Sequence, residues 1–273
     1  MSPDLLFWLA LALKMAVTAA FVIGAAMVAE RAGPAIGALV ATLPIAAGPA
    51  YFFVALDHDA AFISASAIGS IAAHAATGLF ALVFVVLAQR HGVAVSVTAA
   101  VAAWFAVAFA LRLVPWTFPT VAAANLATYA GCIALSNRYR FVKMPPTAPR
   151  WYDVPLRALM VSVLVALVVG LSGHVGPTVT GLLAIYPIVM TSLMLIFQPR
   201  VGGPAAAALI ANTMWGLVGF SACLFTVHLA TARLGTWPGL ILALAVSVIW
   251  NLALWWLRRM RMRRSRWPRV IQP

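Results

Sequence analysis

The run Ala60-Ala-Phe-Ile-Ser-Ala-Ser-Ala-Ile-Gly-Ser-Ile-Ala-Ala-His74-Ala-Ala-Thr-Gly-Leu-Phe-Ala-Leu-Val-Phe-Val-Val-Leu-Ala88 contains no Asp, Glu, Lys or Arg. Crossing a hydrocarbon core of about 30 Å takes about 20 apolar residues in a helix, and this run is longer. It reads as a membrane-crossing helix. Working outward, comparable runs occupy 5–29 and 34–56 before it and 93–114, 119–137, 154–171, 177–197, 204–232 and 238–257 after it, nine in all. Short segments rich in Pro, Gly and charge separate them. The predicted fold is therefore all-α, a polytopic membrane helical bundle of about nine transmembrane helices with no room for a water-soluble domain.

Composition agrees. Hydrophobic residues make up 64% of the 273, charged residues 8%, and the mean hydropathy is +1.03, far from the balance of water-soluble domains. Five Asp and Glu in the whole chain are too few for the carboxylate pairs of acid–base catalysis or for oxygen-rich cation cages. The chain is read as no enzyme and as holding no cofactor. Cys132 and Cys223 lie inside apolar runs without C-x-x-C spacing, which suits small buried residues rather than a disulfide framework or a zinc site. Asp57-His58-Asp59 reads as a solvated turn, because three adjacent residues cannot close a metal site without distant ligands.

The net charge of +13 would suggest nucleic acid in a soluble protein. Here the cations collect in one set of loops and in the tail. Arg31, Arg90, Arg138, Arg140, Lys143, Arg150, Arg200 and the arginines after Leu257 fall on one side of a nine-span topology; Asp4, Asp57, Asp59 and Arg233 fall on the other, with Arg112 at its margin. The positive-inside rule makes the first side cytoplasmic, giving an outside N-terminus and a cytoplasmic C-terminus in a bacterial-type inner membrane. The opening Met-Ser-Pro-Asp lacks a basic region and a small-residue cleavage pattern, so the first span is expected to be retained. Residues 1–137 form a first membrane repeat with a connector helix, 138–153 a Pro-rich cytoplasmic linker, 154–257 a second membrane repeat, and 258–273 a basic tail suited to anionic lipid. No nucleic-acid partner is expected, and self-association is compatible with the sequence.

The repeat rests on setting Gly33-Pro-Ala-Ile-Gly-Ala-Leu-Val-Ala-Thr-Leu-Pro44-Ile45 over Gly176-Pro-Thr-Val-Thr-Gly-Leu-Leu-Ala-Ile-Tyr-Pro187-Ile188, an offset of 176 − 33 = 143 with six of thirteen positions identical. Chance would supply roughly one or two. Nineteen residues before the two glycines stand Lys14 and Arg157, and downstream Ala73-His74 lies over Ala211-Asn212 at a shorter offset. Five crossings separate the copies, so the second copy is inverted. Span nine then matches span four or span five. Two inverted repeats can exchange conformations about an axis in the membrane plane, which is the architecture of alternating access.

Pro44 and Pro187 fall near the middle of corresponding spans. A proline inside a helix removes one donor and clashes with the preceding turn, and in a bilayer the freed carbonyls must find partners. Paired broken helices point to a transporter's substrate site. Around these breaks, Thr42, Tyr186 and Thr191 offer hydroxyls to a ligand or to the freed carbonyls. His74 reads as a proton relay or, slightly better, as an interhelical hydrogen-bond donor, with Asn212 as its aligned partner. Lys14 lies deep in the first span, where only Glu30 on the same span is in prospect as a carboxylate partner. An anion would neutralise it.

The pattern Gly181-Leu-Leu-Ala-Ile-Tyr-Pro187 followed by Gly216-Leu-Val-Gly-Phe220 resembles the small inner-membrane proteins of the GlpM type, which look like single-copy versions of this repeat. In architecture alone the chain also resembles inverted-repeat transporters such as the drug/metabolite superfamily. The resemblances imply a membrane bundle and supply no substrate. Together the residues lead to the expectation of a secondary transporter or exporter of a small anionic or amphipathic solute. The alternatives are a non-transporting scaffold or accessory subunit of envelope assembly, and a lipid flippase.

Overall fold

The computed structural model describes residues 3–31, 44–143, 145 and 150–265. Among them every regular element is helical: α1 (Pro3–Arg31), α2 (Ala47–Asp57), α3 (Ala60–Leu87), α4 (Val93–Arg112), α5 (Phe118–Ser136), a 3₁₀ turn at Asn137–Tyr139, α6 (Asp153–Ala184), α7 (Ile188–Val201), α8 (Gly203–Leu234) and α9 (Thr236–Ser265). Seven stretches are long and apolar enough to cross a membrane. Five of them are the expected spans one, three, four, five and eight, and a sixth is span nine. The seventh, Asp153–Val201, joins the sixth and seventh expected spans without a loop. Of the second expected span the described part begins at Pro44 and forms the eleven-residue α2. Thr42 lies outside the described residues.

Local chemistry explains the boundaries. Asp59 caps α3, its carboxylate accepting from the Phe62 amide at 2.9 Å. Thr117 and Thr120 form a capping box at the start of α5, with Pro119 in the first turn where its missing N–H is harmless. Gly176 divides α6 with φ 72° and ψ 172°, and Gly202 turns α7 into α8 with φ 82° and ψ 164°. Only glycine visits that region readily. Each of these glycines is followed within two residues by a proline that opens the next helical segment.

At the centre lies α3, whose membrane-length window is 72% buried, against 11% for α1 and 17% for α9. It packs on α4, α5, α6 and α8. Its Ala, Gly and Ser side chains allow backbones to touch, as at small-residue contacts between helices in bilayers. A Cβ at Gly69 would sit 2.3 Å from the Thr178 carbonyl oxygen, and one at Gly181 would sit 1.8 Å from that of Ser66. The outermost helices turn apolar side chains outward, among them Leu9, Leu13, Val17 and Phe21 of α1 and Ile241 and Ile249 of α9. That distribution suits hydrocarbon as the surrounding solvent.

Contacts between chain-distant residues sort the connections into two ends. Ala88 abuts Gly203, Gln198 donates to the His91 carbonyl, and Asn212 bonds Arg140. At the far end of α3, Ser64 bonds His228 and Phe52 meets Trp237. The 28 residues of α3 separate the two ends by about 42 Å. Arg90, Arg138, Arg140, Arg150 and Arg200 thus share one end, and Asp57 and Asp59 lie at the other.

Candidate functional site

Two proline turns define the site, the first at Pro44 just ahead of α2 and the second at Pro187 between α6 and α7. In the second, Pro187 has no amide hydrogen to continue α6, and the chain folds into a tight three-residue turn in which Ile188 N–H donates to the Tyr186 carbonyl at 2.7 Å. The Pro187 carbonyl then starts α7, accepting from Thr191 N–H at 2.8 Å. In the first break the Pro44 carbonyl accepts from Gly48 N–H at 2.7 Å. Position 48 aligns with 191 at the offset of 143, so both prolines seed the following helix through the same backbone bond.

The carbonyls at the end of α6 must find other partners. Leu182 and Leu183 accept from the amides of Ile185 and Tyr186. The Gly181 carbonyl accepts from the Ser70 hydroxyl at 2.7 Å, and Tyr51 donates its own hydroxyl to Ser70 Oγ at 2.6 Å. Tyr51 belongs to α2, Ser70 to α3 and Gly181 to α6. A buried hydroxyl chain therefore joins the helix that leaves the first break to the helix that enters the second. Tyr51 is 6% exposed and Ser70 fully buried, so each bond counts for more than it would in water.

Beside the second break, the Tyr186 ring meets Trp104 edge to face at 5.0 Å and stacks on Phe105 at 5.6 Å. Trp104 is fully buried, and its indole N–H donates to Thr77 Oγ1 at 3.1 Å. Tyr186 itself is half-buried, and its hydroxyl makes no hydrogen bond among the described residues. The three rings form an aromatic cluster that carries a phenol hydroxyl at its edge.

The remaining expected site residues do not gather here. Thr191 Oγ1 donates to the Pro187 carbonyl at 2.9 Å, so it serves the break itself. His74 is fully buried; its Nε2 donates to the Leu217 carbonyl at 2.9 Å, while the Tyr129 hydroxyl donates to the His74 carbonyl at 3.0 Å and lies 3.2 Å from Nδ1. These bonds tie α3 to α5 and α8. Asn125 does the same, donating to the Ile71 carbonyl and accepting from Ser221. Asn212 bonds the Arg140 and Ala208 carbonyls toward the basic end, away from His74.

Lys14 requires a correction. Its ammonium contacts Asp57 at 2.6 Å, a carboxylate that the loop assignment had set aside. The two are 43 residues apart in the chain, and only folding brings the end of α2 onto α1. That pairing gives Lys14 a carboxylate other than Glu30. Asp57, His58 and Asp59 hold three separate partners: Lys14, Ser172 at 3.0 Å and the α3 amide.

Asp57 has an aligned counterpart that sequence reading overlooked. Arg200 follows Pro187 by 200 − 187 = 13 residues, as Asp57 follows Pro44 by 57 − 44 = 13. Arg200 grips both oxygens of Asp153 at the start of α6, one of them at 2.8 Å, with its guanidinium 5.6 Å from the Tyr152 ring centroid. Next to this pair the Arg150 guanidinium donates to the Tyr152 hydroxyl and holds it below the usual phenol range. Ser70, Gly181 and Trp104 were also missed. The spacing Ser66-x-x-x-Ser70 in a helix of alanines was the available signal. No protein-family model matches this chain, and no curated protein or solved structure matches it either.

Proposed function

We propose that the protein is a membrane transporter of a small amphipathic solute, working by alternating access between two inverted repeats hinged at Pro44 and Pro187. One observation carries the reading: two proline breaks, aligned in sequence, build the same first-turn hydrogen bond and are joined through Tyr51, Ser70 and Gly181. Broken backbone inside a membrane is tolerated where it is buried in protein or lines a cavity, and paired breaks in corresponding spans of inverted repeats point to a transporter's site. With Lys14 engaged by Asp57, the aromatic cluster and free-standing phenol at Tyr186 support an amphipathic solute over a simple anion. The loops that carry most of the arginines would face the cytoplasm of a bacterial-type membrane, with the basic tail on anionic lipid.

A non-transporting scaffold is the second reading, favoured by the structural use of Thr191, His74 and Asn212. Thiol accessibility separates the two. Single cysteines replace Ala46 and Val189 in a chain lacking Cys132 and Cys223, reconstituted in lipid vesicles and labelled with membrane-impermeant maleimide from each side. Transport predicts labelling at both breaks from both sides, reduced by an amphipathic competitor. Protection from both sides would establish the scaffold instead.

A further inference from the structure

Asp57 and Arg200 occupy aligned places with opposite charge, and each is paired with an oppositely charged residue on the helix that opens its half, Lys14 on α1 and Asp153 on α6. In each half, the residue thirteen places beyond the break proline folds back onto the helix that opens that half, Asp57 onto α1 and Arg200 onto α6. Arg157, the counterpart of Lys14, stands one turn after Asp153. The two pairs lie at opposite ends of the bundle, Asp57 beside the start of α3 and Arg200 beside its end. α2 and α7 are short helices that each start from a proline carbonyl and each end at one of these ion pairs, so the pair is a directed contact at the helix's far end. The pairs also differ in strength. Asp153–Arg200 is bidentate with side chains 13% and 10% exposed, whereas Lys14–Asp57 is a single contact at 19% and 45%. Bidentate, shielded pairs resist opening more than single, wetter ones.

We propose that these two ion pairs are opposing latches on the broken helices, and that the unequal grip biases the protein to open first at the Asp57 end. The inference rests on the alternating-access reading and adds its regulation: which end opens is set by which latch yields. Breaking the strong latch redistributes the two states, and breaking the weak one deepens the existing bias. Swapping the charges of a pair restores attraction and therefore the original distribution.

The test uses the full chain in lipid vesicles with the Ala46 and Val189 cysteine reporters, comparing maleimide labelling rates from the two sides. Arg200→Gln is expected to raise labelling of Val189 from the Arg200 end by about five-fold or more and to lower labelling of Ala46 from the Asp57 end. Lys14→Gln is expected to shift the ratio the opposite way by about two-fold. The pair Asp153→Arg with Arg200→Asp should return the Arg200→Gln pattern to that of the parent, which separates lost attraction from lost folding. Asp153→Asn replaces Arg200→Gln if that variant fails to yield monodisperse protein. If the parent labels from both sides and neither latch variant moves the ratio, the latches are overturned and alternating access stands. A parent that labels from neither side overturns both.

Discussion

The helix leaving the first break and the helix leaving the second have the same proline-seeded start and different flanks. On one side Tyr51 and Ser70 reach the Gly181 carbonyl through two hydrogen bonds. The positions that align with them, 51 + 143 = 194 and 70 + 138 = 208, are Met194 and Ala208, both buried and apolar. One crossing is held by directed polar contacts, while the aligned positions in the other half carry apolar side chains. Hydrogen bonds have a preferred geometry and are lost sharply when a helix tilts, while apolar contacts among small side chains and Met slide at little cost. Two stretches of related sequence thus share a proline-seeded helix start and differ in how their flanks resist displacement.

The largest expected effect tests the tightest point of that comparison. Gly181→Ala places a methyl group against the Ser66 backbone, although its aligned neighbour at position 38 is already alanine. Because backbone rather than a flexible side chain stands in the way, a loss of about 3 kcal/mol is expected. Thermal unfolding in detergent reads it. A melting temperature equal to that of the parent would show that α3 and α6 part easily and that positions 38 and 181 do not differ.

A smaller effect is expected where the aligned residues have moved apart. His74→Asn writes the residue of position 212 into position 74, shortening the link to Leu217 and leaving Tyr129 with one partner fewer. Interhelical hydrogen bonds in membranes contribute about 0.6 to 1.7 kcal/mol, so stability should fall by about 1 kcal/mol while the pH profile of transport stays unchanged. A displaced pH profile would return His74 to the proton-relay role. The smallest effect is Tyr51→Phe, about 0.5–1 kcal/mol for one lost hydroxyl bond, with Met194→Leu near zero as its control. Equal losses at the two positions would erase the distinction between the polar and the apolar crossing.

Much of the helix framework is legible because apolar length alone specifies it. The runs at 60–88, 93–114 and 119–137 end within about two residues of α3, α4 and α5. Spans six and seven are harder to read, since the change of direction lies in the single backbone torsion of Gly176, and a Gly-Pro pair is equally at home in a loop. Of the site, the prolines and Tyr186 stand out from the chain. Their partners do not, because one serine among alanines or one aspartate in a turn looks the same whether or not something reaches it.

By itself the sequence determined that this chain is an apolar helical bundle, that Pro187 interrupts a helix, and that two stretches 143 residues apart are alike. These follow from properties that neighbours along the chain settle among themselves: hydropathy, the missing amide of proline and local identity. Only the tertiary structure decided that Lys14 is neutralised by Asp57, that Arg200 grips Asp153, and that Tyr51 acts on Gly181 through Ser70. Such contacts join residues 19 to 111 positions apart, and inside a low-dielectric bundle a polar group is defined by the partner that folding places beside it.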